Sequence, residues 1–388
     1  MKEYKYLYAK MLDEENIRKA YKNLRKGKTK RKEIIKIDSN LDIEVAAMRK
    51  MIENTRPGKV EHPELAYKPK TRTPKLIFEH GKVRKIFMPE IHEQWIHHII
   101  VLILEPIIGA TAYRFSCGSY PKRGAHYGKK QMLKWIREGK DIRNFGKIDI
   151  RHFYDNIRLD ILMRELRIRI KDEWFLYVIE LCLSGFKKGI PLGFYISQWL
   201  ANYLLEPLDK YVTEELKLEK FERYMDDMTF FANNKKRLHE AIVKIKKFIG
   251  RRFRLKLKRN YQVCKFDYEK GKKKIGRPVD FMGFVFYRTR TVIRKSIMLS
   301  ATRLAKQMRK AKEAGRGFYV KHIQAMLSYM GWFTHTDSYD CYLFWIKPYI
   351  CVKTLKRVIS KLKRRTGHET VDKGTKCRGA TGIAACCA

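Results

Sequence analysis

Two adjacent aspartates, Asp226 and Asp227, interrupt the apolar stretch from Phe221 to Phe231, which has the pattern of a hairpin in a core. Side-by-side carboxylates repel each other and lose hydration when they are buried, so their charge needs compensation. A divalent cation would supply it, and hard oxygen ligands favour Mg²⁺, which completes its shell with waters and substrate phosphates. The alternative, a polar surface turn, is disfavoured by the bulky apolar residues on both sides.

A third carboxylate is expected from a neighbouring strand, and the stretch KIDIRHFYDNI provides Asp149. Asp155 is the rival in this stretch, but it follows the end of the predicted strand and is more typical of a cap for the next helix. Asp149 and the two adjacent aspartates could together hold two Mg²⁺ ions, with Mn²⁺ as an alternative. Such a pair of ions serves in-line phosphoryl transfer, because one activates a 3′ hydroxyl and the other neutralises the leaving pyrophosphate.

The net charge indicates a polyanionic partner. The 388 residues include 86 Lys and Arg against 41 Asp and Glu, which gives a formal charge of +45. Such a surface repels itself unless a polyanion is present, which favours nucleic acid over a basic surface kept only for solubility. No membrane partner is expected, because no apolar run approaches the roughly 20 residues that a span needs. The absence of a signal-peptide core and of paired CxxC spacing predicts a cytoplasmic protein with reduced thiols.

The elements that must position the carboxylates are strands and helices in alternation. The stretch FGKIDI is a predicted strand ending at Asp149, RYMDDMTFF is a hairpin, and VDFMGFVFYR is a further strand. Asp13 can cap a helix whose apolar positions are Ile17, Ala20, Tyr21 and Leu24. Pro207 is expected to kink a helix over about 197–216. Because the alternation lacks regular βαβ spacing, the sequence predicts an α+β fold, a sheet with helices on one face.

The C-terminal part is predicted to be helical and basic from about Ser300, followed by a poorly ordered tail. The stretch VKTLKRVISKLKRR places four apolar residues on one stripe: Val352, Leu355, Ile359 and Leu362. In the tail, the side chains of metal-binding type fit no standard metal-site spacing: His368, Cys377, Cys386 and Cys387.

Four ordered motifs carry a resemblance to a known family. YMDD at Tyr224 to Asp227, KIDIRHFY upstream, GIPLGFYISQW between them and DFMGF downstream resemble the reverse transcriptases of the bacterial retron and group II intron superfamily. The resemblance covers about residues 5 to 365 and implies a right-hand polymerase with fingers, an RRM-like palm sheet and a helical thumb. The implied parts are fingers at 1–146, palm at 147–292, thumb at 293–365 and the tail at 366–388.

The resemblance also assigns site residues. Asp149 and Asp226 match the metal ligands, Asp227 matches the supporting carboxylate, and Ile150 is grouped with the metal-binding residues. Tyr154 matches an aromatic that stacks under the sugar and excludes a 2′ hydroxyl, with simple core packing as the alternative. The resemblance assigns six further residues to nucleotide binding: Lys82, Arg84, Leu192, Gly193, Ser197 and Gln198. It assigns three residues to the primer grip: Phe281, Met282 and Gly283.

Two departures from the family pattern are informative. Most relatives have QGxxxSP where this chain reads LGFYISQ from Leu192 to Gln198, a form that resembles the reverse transcriptases of diversity-generating retroelements. Losing a Gln amide at Leu192 predicts looser control of base-pair geometry and a mutagenic enzyme. Relatives also have a lysine near Tyr261 that could protonate pyrophosphate, so the general acid is open, with Lys258 and Lys265 as candidates.

The resemblance therefore implies an RNA-directed DNA polymerase, closest to those of diversity-generating retroelements, in a bacterium or a phage-infected cell. A defence-associated or retron-type enzyme is the alternative within the class, and a non-catalytic RNA-binding scaffold is the alternative from another class. The expected partners are a structured template RNA, a primer or cDNA strand and dNTPs, with a small basic accessory protein as a candidate.

Overall fold

The computed structural model describes residues 2–70, 73–79, 82–139, 142–186, 188–366 and 376–377. The chain forms two compact units, Met1–Cys264 and Lys265–Ala388. The boundary between them falls inside the predicted palm, and the division into fingers, palm and thumb stays a prediction. Within the described residues, no helix combines the length and apolar character needed to cross a membrane.

The first unit is mostly helical. Its helices are α1 Leu7–Leu12, α2 Glu14–Arg25, α3 Lys32–Ser39, α4 Leu41–Glu53, α5 Ile91–Gly109, α6 Ala125–Glu138, α7 Phe153–Asn156, α8 Leu159–Arg167, α9 Glu173–Ser184, α10 Tyr195–Lys210 and α11 Lys235–Phe253. Asp13 caps α2 as predicted, because its carboxylate accepts a hydrogen bond from the backbone of Glu15. Pro207 lies inside α10, and a π-helical turn over Tyr211–Glu215 follows that helix.

The strands of the first unit form a hairpin and a five-stranded sheet. They are β1 Lys75–Glu79, β2 Lys82–Ile86, β3 Ser116–Cys117, β4 Asn144–Asp149, β5 Phe221–Tyr224, β6 Asp227–Ala232 and β7 Gln262–Lys265. β1 and β2 form the hairpin, and the sheet has the order β3-β5-β6-β4-β7. β6 is antiparallel to both β5 and β4, whereas β3 is parallel to β5.

The central strands are held in the core by aromatic side chains. Phe145, Phe221 and Phe230 are almost completely buried. Gly146 lies opposite Phe230 across the β4–β6 pair, and a Cβ on Gly146 would meet the Phe230 ring at 2.3 Å. The ring therefore packs over the glycine, which fixes the register that brings the ends of β4 and β6 together.

The second unit contains short strands followed by helices. Its elements are β8 Tyr268–Lys270, β9 Lys273–Ile275, β10 Val279–Phe281, β11 Phe284–Phe286, β12 Thr291–Ile293, α12 Lys295–Glu313, β13 Phe318–Tyr319, α13 Val320–Phe333, α14 Tyr339–Trp345, α15 Val352–Thr366 and β14 Lys376–Cys377. The predicted stripe on α15 is confirmed, because Leu355 is buried and the other three apolar residues pack against the same core.

The prediction of one continuous strand over VDFMGFVFYR is wrong. The chain reverses at Met282 and Gly283, whose φ angles are 53° and 85°, and Phe281 pairs with Phe284. Two successive positive φ values are typical of a tight turn whose twist matches the flanking strands. A Cβ on Gly283 would lie 2.6 Å from the Trp332 ring, so the glycine is also required by packing.

The tail is described only in part. Lys376–Cys377, as β14, pairs antiparallel with Phe318–Tyr319. That the tail is poorly ordered stays a prediction. The rest of the predicted tail, which includes His368, Cys386 and Cys387, lies outside the described residues. Five described cysteines form no disulfide: Cys117, Cys182, Cys264, Cys341 and Cys351.

Candidate active site

The β5–β6 turn places Asp226 where these two inner strands of the sheet end. Tyr224 pairs with Asp227, so that Met225 and Asp226 form the two-residue turn. Met225 has a φ of 56°, a left-handed conformation that is uncommon for a residue other than glycine. The turn is tied to its neighbours, because the Met225 amide donates to the Cys117 carbonyl at 3.2 Å and the Ile150 amide donates to the Asp226 carbonyl at 3.3 Å.

The structure brings the three predicted carboxylates together. Asp149, the last residue of β4, lies directly opposite Asp227, the first residue of β6, and Asp226 is next to it in the turn. Burial raises the pKa of Asp226 to about 6, with a further increase from the charge of Asp149. Burial likewise raises the pKa of Asp227 to about 7, although Lys147 opposes this change.

Two lysines balance the carboxylates. Lys258 donates from Nζ to Asp149 Oδ2 at 2.5 Å, and Lys147 Nζ lies 3.2 Å from Asp227 Oδ2. The other oxygen of each carboxylate, Oδ1 of Asp149 and Oδ1 of Asp227, is buried and has no hydrogen-bond partner among the described residues. A buried oxygen without a partner is rare in folded proteins, and a bound ion or water molecule would satisfy it.

The donor set fits a hard divalent cation. All three side chains offer carboxylate oxygens, which Mg²⁺ prefers, and two of those oxygens have no other partner in the part of the chain that the structure describes. Within the described residues, no three His, Cys, Asp or Glu side chains are already arranged around one metal position. The two lysines contact the carboxylates instead, so a cation would share the carboxylates with them or displace them. Ile150 has an apolar side chain, and only its main-chain carbonyl could serve as a ligand.

Stability should depend on pH and metal together. The raised pKa values of Asp226 and Asp227 mean that the folded chain holds more protons than the unfolded chain between about pH 4 and pH 7. The metal-free fold therefore loses stability as the pH rises through this window. A cation that binds the ionised carboxylates should raise the Tm by roughly 2–4 °C more at about pH 8 than at about pH 6.

Thermal unfolding with and without Mg²⁺ at both pH values measures this effect. The double variant D226N/D227N should lose the Mg²⁺-dependent increase, whereas Asp155→Asn should keep it. An increase in Tm that is equal at both pH values would contradict the assignment.

Two residues predicted for nucleotide binding interact electrostatically with Asp226. The positive charge of Arg84, on β2, opposes part of the rise that burial causes in the pKa of Asp226, so this guanidinium lies within electrostatic reach of the turn. Tyr154, on α7, is half-buried; burial and then the charge of Asp226 raise its pKa. The side chain of Lys82 lies outside what the structure describes.

The motif LGFYISQ lies against the end of β2. The Leu192 carbonyl accepts a hydrogen bond from the Phe87 amide at 2.8 Å, and Gly193 has a φ of 105°. A Cβ on Gly193 would lie 2.1 Å from the Phe87 carbonyl oxygen, so only glycine fits there. Ser197 is buried, and its hydroxyl has no partner among the described residues; Gln198 Oε1 accepts from Ser119 Oγ at 3.1 Å.

Some predicted residues take other places. Asp155 is exposed inside α7, and α8 begins after Arg158, so the prediction that Asp155 caps the next helix is wrong. The primer-grip residues lie in the second unit, at the turn between β10 and β11, and their assignment stays a prediction. Of the two general-acid candidates, Lys258 contacts Asp149, whereas Lys265 is an exposed residue of β7.

Sequence reasoning missed Lys147 and Arg223. Lys147 precedes Asp149 by two residues in the same strand, so the period of two places both on one face and could have identified it. Arg223 immediately precedes Tyr224, and its side chain is completely buried. No sequence signal separates such a buried arginine from the many exposed basic residues of this chain.

Comparison with known proteins identifies relatives. The family described as reverse transcriptase (RNA-dependent DNA polymerase) matches residues 68–286, which is more than half of the chain. Protein YkfC of Escherichia coli (strain K12) is 23% identical over 146 residues, 34% of this chain and 38% of YkfC. Group II intron-encoded protein LtrA of Lactococcus lactis subsp. cremoris is 31% identical over 152 residues, 37% of this chain and 24% of LtrA. The chain thus spans much less than two thirds of either relative.

Among solved structures, telomerases are similar at a low level. Telomerase from Candida albicans in complex with the TWJ fragment of telomeric RNA has a TM-score of 0.44 and 12% identity over 84% of this chain and 64% of that chain. Apo telomerase from Candida tropicalis, truncated from the C-terminal domain, has a TM-score of 0.42 and 14% identity over 57% of this chain and 53% of that chain. Similarity at this level supports no conclusion by itself.

Proposed function

Because the chain belongs to the reverse transcriptase (RNA-dependent DNA polymerase) family, we propose that it copies an RNA template into DNA by nucleotidyl transfer at Asp149, Asp226 and Asp227. One observation carries the proposal: Asp149 and Asp227 face each other across β4 and β6, and each has a buried carboxylate oxygen for which the described residues provide no partner. All three carboxylates lie within the segment that matches the family.

Each side chain has a role in the proposed reaction. Reverse transcriptases generally use divalent metal ions, and Mg²⁺ held by the three aspartates would supply Lewis-acid stabilisation of the phosphoryl group. Arg84 supplies a positive charge near Asp226 for the incoming triphosphate. Tyr154, a bulky half-buried ring near Asp226, would exclude a 2′ hydroxyl from the sugar site. Lys258 and Lys147 hold the carboxylates in place until substrate binds.

The direct test is primer extension by the full chain. The protein should extend a DNA primer on an RNA template with dNTPs and Mg²⁺, and EDTA should stop the reaction. The same primer on a DNA template measures template preference. Failure on both templates, with either Mg²⁺ or Mn²⁺, would refute the polymerase assignment and favour a non-catalytic RNA-binding scaffold.

We further propose that the enzyme is the error-prone type found in diversity-generating retroelements, because Leu192 stands where most relatives have a glutamine. Replacing Leu192 with Gln adds an amide that can bond near the nascent base pair. One such hydrogen bond contributes about 0.5–1.5 kcal/mol, so errors on an RNA template should fall roughly 2- to 10-fold. Sequencing of cDNA made by Leu192→Gln and by the wild type measures the change, with Leu192→Met as an apolar control. An unchanged error spectrum would contradict this role for Leu192.

The charge of +45 supports a structured RNA as the partner, bound through phosphate contacts in a bacterial cytoplasm. Sequencing the RNA and cDNA that co-purify with the protein identifies that partner. A template repeat matched by a mutated variable repeat would support the retroelement role. A self-primed or unrelated transcript would instead support a retron-type or defence-associated enzyme. Mass spectrometry of the same sample tests for a small basic accessory protein.

A further inference from the structure

Arg223 is a completely buried charge directly before the catalytic turn. Its guanidinium binds Asp209 of α10 through two hydrogen bonds, from Nε to Oδ1 at 2.7 Å and from Nη2 to Oδ2 at 2.6 Å. Asp209 is 1% exposed, so the pair has almost no contact with solvent. Burial alone would lower the pKa of Arg223, but the Asp209 carboxylate raises it, which keeps the guanidinium charged.

The remaining nitrogen of Arg223 is directed at the turn. Nη1 donates to the carbonyl oxygen of Met225 at 3.0 Å and to Asn202 Oδ1 at 3.0 Å. Asn202 in turn donates to the Gly118 carbonyl at 3.1 Å, and the Met225 amide donates to the Cys117 carbonyl. The backbone amide of Met225 is therefore held by β3, and its carbonyl is held by the side chain of Arg223.

Met225 is the residue whose backbone needs holding. A φ of 56° is unfavourable for any residue other than glycine, so contacts with neighbouring residues must maintain this backbone conformation. A Cβ on Gly118 would lie 3.2 Å from Met225 Cγ, so the loop after β3 packs closely against this residue. The peptide that Arg223 contacts is the one that links Met225 to Asp226.

Stability alone does not explain the buried pair. Apolar residues of similar size in place of a buried ion pair are often neutral or stabilising. What an apolar pair cannot supply is a directed donor to the Met225 carbonyl. The charged side chains that shift the pKa of Asp226 are those of Asp149, Lys258 and Arg84, and Arg223 is not among them.

We propose that Arg223, locked by Asp209, is a positioning residue that holds the Met225 peptide and thereby sets the place of Asp226 and Asp227 for divalent-cation binding. The role rests on the proposed function. It acts through geometry, because Asp209 compensates the charge of Arg223.

A double variant of the full chain tests the proposal. D209L/R223M replaces the pair with apolar side chains and removes the donor to Met225. The matched control is E206L/R169M, which removes another buried ion pair. In that pair Arg169 Nη1 lies 3.1 Å from Glu206 Oε2, and Glu206 lies three residues before Asp209 on α10. No described bond links that control pair to the turn.

The readouts are thermal unfolding, Mn²⁺ affinity of the protein alone by electron paramagnetic resonance, and kcat and KM for dNTP. In D209L/R223M, Mn²⁺ affinity should fall about 10-fold and kcat about 10- to 100-fold, with KM changed less than roughly 3-fold. The control pair should alter neither Mn²⁺ affinity nor kcat beyond roughly 2-fold. A folded D209L/R223M protein with wild-type Mn²⁺ affinity and kcat would overturn the proposal.

If the double variant does not fold, Arg223→Lys tests the positioning role of Arg223. A lysine has three donors, whereas Arg223 bonds four acceptor atoms, so at least one contact is lost while the charge pair remains. Mn²⁺ affinity should then fall, and an unchanged affinity would refute the role. If the wild type makes no DNA, the proposed function fails, but Mn²⁺ affinity still shows whether Arg223 positions the carboxylates.

Discussion

Replacing Asp226 with Asn should reduce RNA-templated DNA synthesis by at least about 10³-fold, which corresponds to about 4 kcal/mol of lost transition-state stabilisation. The amide is nearly isosteric with the carboxylate but cannot carry the charge that a divalent cation needs. Single-turnover primer extension at saturating dNTP measures the loss without interference from product release.

The same substitution should not destabilise the metal-free protein. The pKa of Asp226 is raised from 3.8 to about 6, so its ionised form opposes folding by about 3 kcal/mol above that pH. Since Asn is neutral, the Tm of Asp226→Asn without metal at about pH 8 should equal or exceed that of the wild type. Loss of activity with unchanged or increased stability is typical of a catalytic residue rather than a structural one.

Asp155→Asn is the matched control for this prediction. Asp155 is exposed and six residues beyond Asp149, and the sequence alone left it as a rival ligand. Its substitution should change activity by less than roughly 2-fold, as is usual for exposed positions. Retention of a tenth of the activity by Asp226→Asn would contradict the assignment of Asp226.

Gly193→Ala should give the largest loss of stability. The added Cβ would lie 2.1 Å from the Phe87 carbonyl oxygen and 2.9 Å from Ile86 Cγ2, and the φ of 105° is unfavourable for alanine. Backbone strain of this kind costs about 1–3 kcal/mol before the clash is counted, so the total should reach about 3 kcal/mol or more. Chemical denaturation measures the free energy of unfolding.

This substitution should also affect nucleotide binding. The loop can relieve the clash only by moving away from Phe87 and breaking the hydrogen bond between Phe87 and Leu192. The end of β2, the strand that carries Arg84, would then separate from the LGFYISQ motif. We expect KM for dNTP to rise about 10-fold, because a displacement of about 1 Å in a positioning element has effects of that order or larger.

Gly250→Ala provides the control. Gly250 lies in α11, and the nearest atom to its Cβ would be the Leu255 carbonyl oxygen at 3.9 Å, an ordinary contact. Alanine in a helix interior should be neutral or should stabilise by about 0.5–1 kcal/mol. Equal stability of Gly193→Ala and Gly250→Ala would show that the loop adapts without cost.

The family and the fold class were predictable from the sequence. The motifs around Asp149 and Asp226 indicated a reverse transcriptase, and the family match over 68–286 confirms that assignment together with the α+β right-hand polymerase fold. The closeness to diversity-generating retroelements and the limits of fingers, palm and thumb stay predictions. So does the role of each site residue, although the structure brings the three carboxylates together as predicted.

The local errors have a common origin in turn geometry. The strand over VDFMGFVFYR reverses at Met282 and Gly283, and nothing in its apolar pattern distinguishes a continuous strand from two short ones. The prediction that Asp155 caps a helix failed because a single helical turn, α7, precedes α8. Both errors concern backbone conformation over two to four residues, where alternation and capping signals are weakest.

The sequence by itself determined the family and the three candidate carboxylates, because paired aspartates at the tip of an apolar hairpin and a third at a strand end need a compensating charge. That this charge is a divalent cation stays a prediction. Tertiary structure alone decided what holds the carboxylates. Lys258 contacts Asp149, from which it is separated by 109 residues in the chain. Arg223 binds both Asp209 and the carbonyl of Met225. Such contacts depend on how α10 and β5 pack and on which of many basic side chains is buried, and local spacing carries no information about either.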